Sequence, residues 1–248
     1  MNLWRLEWLR LTRTRRLIAL IGTYAFFGFV GPLTARYLSA IIDRFGGGDI
    51  QVVVPDPIPV DGIVQFTGNI YPIGLLVAVI VAAGALTPRA LPEMAIFLRT
   101  RVTSAARLVI PRFTVVFAAA AAAYVIGVGI AWYETTVLLG VLPVGGLLLG
   151  AMFGIFYLAF AVAVVAVIGS SLESVLGTVM GSLLILLLLP IAGIVDAVGR
   201  WLPSHLVGAQ VDLVMDGAVG DYLGSALVTV ILTGLLLTAA VHRAGAGE

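Results

Sequence analysis

The chain has 248 residues, of which 61% are hydrophobic and 11% charged, with a formal net charge of +1. Soluble domains run at about 45–50% apolar and about 25% charged, so this composition excludes a soluble globular domain and leaves an integral membrane protein. There is room for roughly six spans of about 20 residues, but not for a sizeable soluble domain. Cysteine is absent, which excludes disulfides, thiolate metal sites and a cysteine nucleophile, and the two histidines, His205 and His242, have no metal-ligand spacing.

The N-terminal stretch 2–16 predicts a helix with Trp4, Trp8 and Leu11 at i, i+4 and i+7, and with Arg5, Arg13 and Arg16 towards its other side. Such a helix lies along a membrane surface, with Trp4 and Trp8 at headgroup level and Arg13 and Arg16 on anionic lipid. A topology signal alone is the plainer reading of the same arginines. The first span follows at about 17–38. A cleavable signal peptide competes with it, but the apolar run is longer than the roughly 7–15 residues of a signal core.

Residues 39–69 contain Gly46-Gly47-Gly48 and Pro55-Asp56-Pro57-Ile58-Pro59, which predict a turn-rich outer loop with a short strand at 51–54. The second span is expected at about 70–87. The stretch 88–111 then carries Pro88 and Pro92, Glu93, the apolar pair Phe97-Leu98, Arg99, Arg101, Thr103 and Ser104. Pro92 suits the first turn of a short helix with Glu93 at its positive end, and Thr103 or Ser104 suits the N-cap of the next. A pure topology signal needs no Phe97-Leu98 pair, so this loop reads as a docking surface.

The third span is expected at 112–132, ending at Trp132-Tyr133-Glu134, an aromatic anchor at a water interface. The fourth, at 138–169, lies in an uncharged stretch too long for one membrane crossing. It must tilt, extend into the cytoplasm or break near Pro143-Val144-Gly145-Gly146. The fifth, at 175–199, is interrupted by Pro190 and Gly193, which makes these two residues hinge candidates. A moderately apolar segment at 200–220 predicts a short re-entrant or interfacial helix, in which Trp201 and His205 are candidates for a substrate path; a lone interfacial histidine is more often neither ligand nor proton carrier. The sixth span is expected at 221–241.

All fourteen basic residues are arginines, and ten of them fall at 5–16 and 89–112. The positive-inside rule therefore places both termini in the cytoplasm. No span centre carries an acid or base, which argues against an ion-coupled carrier and a charged channel filter. A phosphate-binding G-x-x-x-x-G-K-[ST] loop is missing, and the spans show no serine-protease constellation. Gly146, Gly150 and Gly154, then Ala123, Gly127 and Ala131, then Gly177 and Gly181 recur every four residues. Such small-residue stripes let helices approach closely, within the chain or across a dimer.

This layout resembles the permease subunit of an ABC-2 type exporter. The loop between spans two and three carries the local likeness: the acid Glu93, the apolar Phe97-Leu98, the Val102-Thr103 pair and the basic-apolar entry Arg112-Phe113. Arg101 and Ser104 stand where that family usually has Pro and Arg. The resemblance implies an all-α polytopic protein in a prokaryotic plasma membrane, not itself an enzyme. It implies pairing with a second copy or a related permease, and docking of cytoplasmic ABC ATPase subunits on Glu93, Phe97, Leu98, Arg99, Arg101, Thr103 and Ser104. ATP and Mg would sit on those partners, with no cofactor on this chain and no nucleic-acid partner; membrane lipid surrounds it. The cargo would be amphipathic or lipid-like. A non-transport scaffold and an ion-gradient carrier are the alternatives.

Overall fold

A computed structural model describes residues 3–45, 55–87 and 104–245. These residues form helices and turns, with no strand among them. Six helical segments are long and apolar enough to cross a membrane: Arg16–Ile42, Pro59–Leu86, Ala106–Leu138, Val144–Ser171, Val175–Ala192 and Gly220–Gly245. The chain is an all-α, multi-pass membrane protein.

Helix α1 (Leu3–Arg13) precedes α2 (Arg16–Phe45). Between them Arg15 takes a left-handed φ of 58°, a conformation that ends one helix and re-aims the chain. Helix α3 (Pro59–Asn69) continues through a π-turn at Ile70–Gly74 into α4 (Leu75–Leu86), and the three make the second span. Pro72 lies inside the π-turn; it has no N–H to give, so an irregular turn there loses little. Helices α5 (Ala106–Leu138) and α6 (Val144–Ser171) form spans three and four, and α7 (Val175–Ala192) forms span five. A broken segment follows, comprising α8 (Asp196–Gly199), a 3-10 turn at Pro203–Val207, α9 (Ala209–Asp212) and a 3-10 turn at Leu213–Met215. Helix α10 (Gly220–Gly245) is the sixth span.

Several predicted boundaries move. The second span begins at Pro59, not at residue 70, so the outer loop at 39–69 is helical over its last eleven residues. The cluster of prolines that reads as loop ends in a proline at the first helical position, where its missing N–H costs nothing. Asp61 completes that start by accepting the Ile58 N–H at 2.8 Å. The candidate strand at 51–54 lies outside the described residues. Span three starts at Ala106 and runs to Leu138, six residues earlier and later than expected. Span four starts just after Pro143, at the break that the proline and paired glycines predict. Span five stops at Ala192, short of residue 199. With Pro190 in its final turn and Gly193 as C-cap, these residues terminate the helix and do not kink one that runs on.

Helix α6 is the hub. Two thirds of its apolar window is buried (67%), against 28% for α2 and 22% for both α7 and α10. It packs on α4, α5, α7, α10 and the outer segment. Helices α2 and α5 cross at glycines: a Cβ on Gly127 would lie 2.8 Å from the Tyr24 carbonyl oxygen, and one on Gly28 2.6 Å from that of Gly127. Ala123 and Ala131, fully buried, continue the contact. That stripe is therefore used inside the chain. So is the stripe of α6, where a Cβ on Gly146 would collide with the Leu213 carbonyl, on Gly150 with the Gln210 backbone, and on Gly154 with the Tyr124 hydroxyl. Gly181 sits at ordinary contact distance from Ile168 of α6, and Gly177 beside Leu172 and Ser174.

Candidate functional site

Two regions concentrate the polar groups, one at each end of the bundle. At the arginine-rich end, α1 lies across the stems of the loop at 88–103. Its buried face carries Glu7 and Leu11. Glu7 Oε1 accepts a hydrogen bond from Arg112 Nε at 3.0 Å, and both residues are buried, at 5% and 7% exposure. Arg10 stands 3.8 Å from the other carboxylate oxygen and donates from Nη2 to the Gly84 carbonyl at 3.1 Å. Burial pulls the Arg10 guanidinium below its ordinary pKa, with Glu7 pulling the other way; an arginine keeps its proton regardless. The Arg16 guanidinium packs on the face of Gly84, where a Cβ would meet it at 2.7 Å. Helix α1 is thus tied to the end of α4 by Arg10 and to the start of α5 by Glu7, which are the two helices that flank the loop.

Trp4 and Trp8 lie along the edge of that face, each 46% exposed, and Arg13 is exposed on the far side of α1. Arg16 is half-buried against α4, where Gly84 leaves a flat backbone patch that its guanidinium covers. Glu93, Phe97, Leu98, Arg99, Arg101 and Thr103 lie outside the described residues. Ser104 is exposed and lends only its carbonyl, to the Arg107 N–H at 3.1 Å; the N-cap of α5 is Ala105, with no side-chain bond. Ser104 is therefore not the capping side chain that the sequence predicts, since α5 begins one residue later. On the same end, Arg243 of α10 donates to Ser171 Oγ at 2.8 Å, and Gly245 comes against Ala105. The helical stretches nearest the two chain ends thus share one side.

At the other end, the segment after α7 is seated on the glycine track of α6. Gln210, fully buried, accepts the Tyr124 hydroxyl at 2.7 Å, while its Nε2 has no protein partner. Tyr24, Tyr71, Tyr124 and Tyr157 gather around this bond, with Tyr24 and Tyr124 edge to face at 6.1 Å and Tyr71 and Tyr157 at 6.0 Å. Tyr124 is twelve residues beyond Arg112, about 18 Å along α5, so the segment dips well into the bilayer. Non-helical backbone is tolerated there because protein covers it.

Nearer the surface, Arg200, Trp201, His205, Gly220, Asp221 and Gly224 line a cleft of about 540 Å³. The structure brings the two predicted residues, Trp201 and His205, to the same opening. His205 stacks on Tyr222 at 4.8 Å between ring centroids, and the Arg200 guanidinium sits 5.7 Å from the Trp201 ring. Pro190 and Gly193 are not part of either region. No group of three or more His, Asp or Glu side chains converges among the described residues.

Sequence reasoning missed Glu7, Tyr124 and Gln210 as contact residues. Glu7 had a readable signal: it is the one acid among the N-terminal arginines and shares a face with Leu11 at i, i+4. Gln210 is the one amide of the outer segment. The partner of each is more than eighty positions away, and no local pattern names it. No family model matches the chain, and no curated protein or solved structure matches it.

Proposed function

We propose that this chain is the permease subunit of an ATP-driven exporter of the ABC-2 type in a prokaryotic plasma membrane. In this reading it pairs with a second permease, and separate cytoplasmic ATPase subunits dock on the loop at 88–111. Together the permeases move an amphipathic or lipid-like molecule outwards.

One observation carries the reading: α1 is bonded to both stems of the arginine-rich loop, by Glu7–Arg112 on one side and Arg10–Gly84 on the other. A push on that loop reaches α4, α5 and the surface helix together, as coupling to a soluble motor requires. Two further features support it. The faces of α2, α7 and α10 are largely apolar and uncovered within the chain, which suits lipid and a partner permease. The spans hold no ionisable pair at their centres, so an external source of energy fits them better than an ion gradient.

The test is purification of the tagged chain in mild detergent, followed by reconstitution with whatever ATPase accompanies it. Copurification of an ATPase, ATP-dependent efflux of an amphipathic dye, and loss of efflux with retained ATP hydrolysis in Glu93→Arg and Phe97→Asp are expected. Transport by the chain alone on an ion gradient, or full efflux with both substitutions, would overturn the reading.

A further inference from the structure

The outer cleft holds a cation and an anion that do not meet. Arg200 and Asp221 both line it, yet no ion pair joins the two. Among the described side chains, neither charge has a partner of opposite sign within ion-pair distance. The wall between them is closely packed. Tyr222 is buried, packs on Phe153 of α6 at 5.6 Å, stacks under His205, and donates its hydroxyl to Asp212 at 3.2 Å. The Trp201 ring rests on Gly224, where a Cβ would come within 2.9 Å of it.

Below the cleft the surface changes character. Gly224, Val228, Ile231 and Leu235 recur at i, i+4, i+7 and i+11, which is one stripe of α10. Ile231 and Leu235 are 51% and 59% exposed. Eleven residues of helix measure about 16 Å, about half of the roughly 30 Å hydrocarbon core. The stripe is as long as one leaflet is deep, and it starts where the charged cleft ends.

We propose that the cleft and stripe bind an amine-bearing phospholipid from the leaflet on this side of the membrane. The phosphodiester lies on the Arg200 guanidinium and the His205 imidazole. The primary ammonium donates to the Asp221 carboxylate, and one acyl chain runs down Val228, Ile231 and Leu235. Separated opposite charges select a zwitterion over an anion, and a carboxylate acceptor rewards an N–H donor over a quaternary amine. This site concerns the lipid that the protein holds and does not rest on the transporter reading.

The full-length protein is placed in nanodiscs containing equal parts of phosphatidylethanolamine, phosphatidylcholine and phosphatidylglycerol, and the lipids that remain bound after extraction are counted by native mass spectrometry. Phosphatidylethanolamine is expected in at least about tenfold excess over each of the others, the factor that one charge-assisted hydrogen bond supplies. Asp221→Asn removes the excess, and Arg200→Gln lowers retention of all three lipids. Both side chains are exposed, so both variants keep the parent's melting temperature. Equal retention of the three lipids by the unaltered protein overturns the proposal, as does unchanged selectivity in Asp221→Asn. Displacement of the bound lipid by an equal concentration of soluble phosphoethanolamine overturns the assignment to a membrane lipid.

Discussion

Arg112, in the second turn of the third span, has its guanidinium Nε 3.0 Å from the carboxylate of Glu7, 105 residues earlier in the chain. A charge pair at 5% and 7% exposure holds the surface helix against the bundle. Breaking such a pair from one side leaves the other charge buried and alone, at a cost of about 3–5 kcal/mol. Glu7→Gln and Arg112→Ala are therefore expected to lower thermal stability in detergent sharply and to open α1 to protease. The exchange Glu7→Arg with Arg112→Glu should recover part of the loss. A stability in Glu7→Gln equal to the parent's would show that α1 is not held by this bond.

The glycine track of α6 gives a second prediction. A methyl group on Gly150 has nowhere to go but into the Gln210 backbone, and overpacking of this kind costs about 1–3 kcal/mol. Gly150→Ala should lower the melting temperature and loosen the outer segment. The control is Gly129→Ala, since Gly129 has open space where its Cβ would stand. Its stability should hold or rise slightly through better helix propensity. A drop of equal size in both variants would mean that the track has no special role.

Tyr124 and Gln210 form a buried bond whose loss can be apportioned. Tyr124→Phe strands the Gln210 carbonyl oxygen, costing about 1–3 kcal/mol. Adding Gln210→Met removes the stranded group and should return most of that loss, because removing both partners of a buried hydrogen bond is nearly neutral. Differential scanning fluorimetry on the four proteins of the cycle measures the coupling; additive losses would show that the bond is not made.

The absence of cysteine makes the topology directly testable with single introduced thiols and an impermeant maleimide. A thiol at Asp216 should be labelled in intact cells, and one at Ser104 only after the membrane is opened. The reverse pattern would invert the orientation that the arginine bias predicts.

Hydropathy is a local, additive property. The number of spans, their order and the break at Pro143 are legible because each needs only its own run of residues to be apolar or interrupted. The start of the second span is less legible, since Pro59 reads equally as the end of a loop and as the first residue of a helix; the Asp61 contact to the Ile58 N–H decides between them. The glycine stripes announce close packing without naming what packs. The outer segment covers the stripe of α6 and α2 covers that of α5, which leaves those two closest approaches within one chain.

By itself, then, the sequence determined a six-span helical membrane protein and a segment before the sixth span with Trp201 and His205 in it, and its arginine placement predicts the orientation that the thiol labelling tests. Only the tertiary structure decided that Glu7 meets Arg112, that Gln210 meets Tyr124, and that Arg200 and Asp221 face one cleft without touching. The physical reason is range. Burial follows from each segment's own affinity for lipid, whereas a polar partner is chosen by whichever helix faces it, and that choice belongs to the packed bundle.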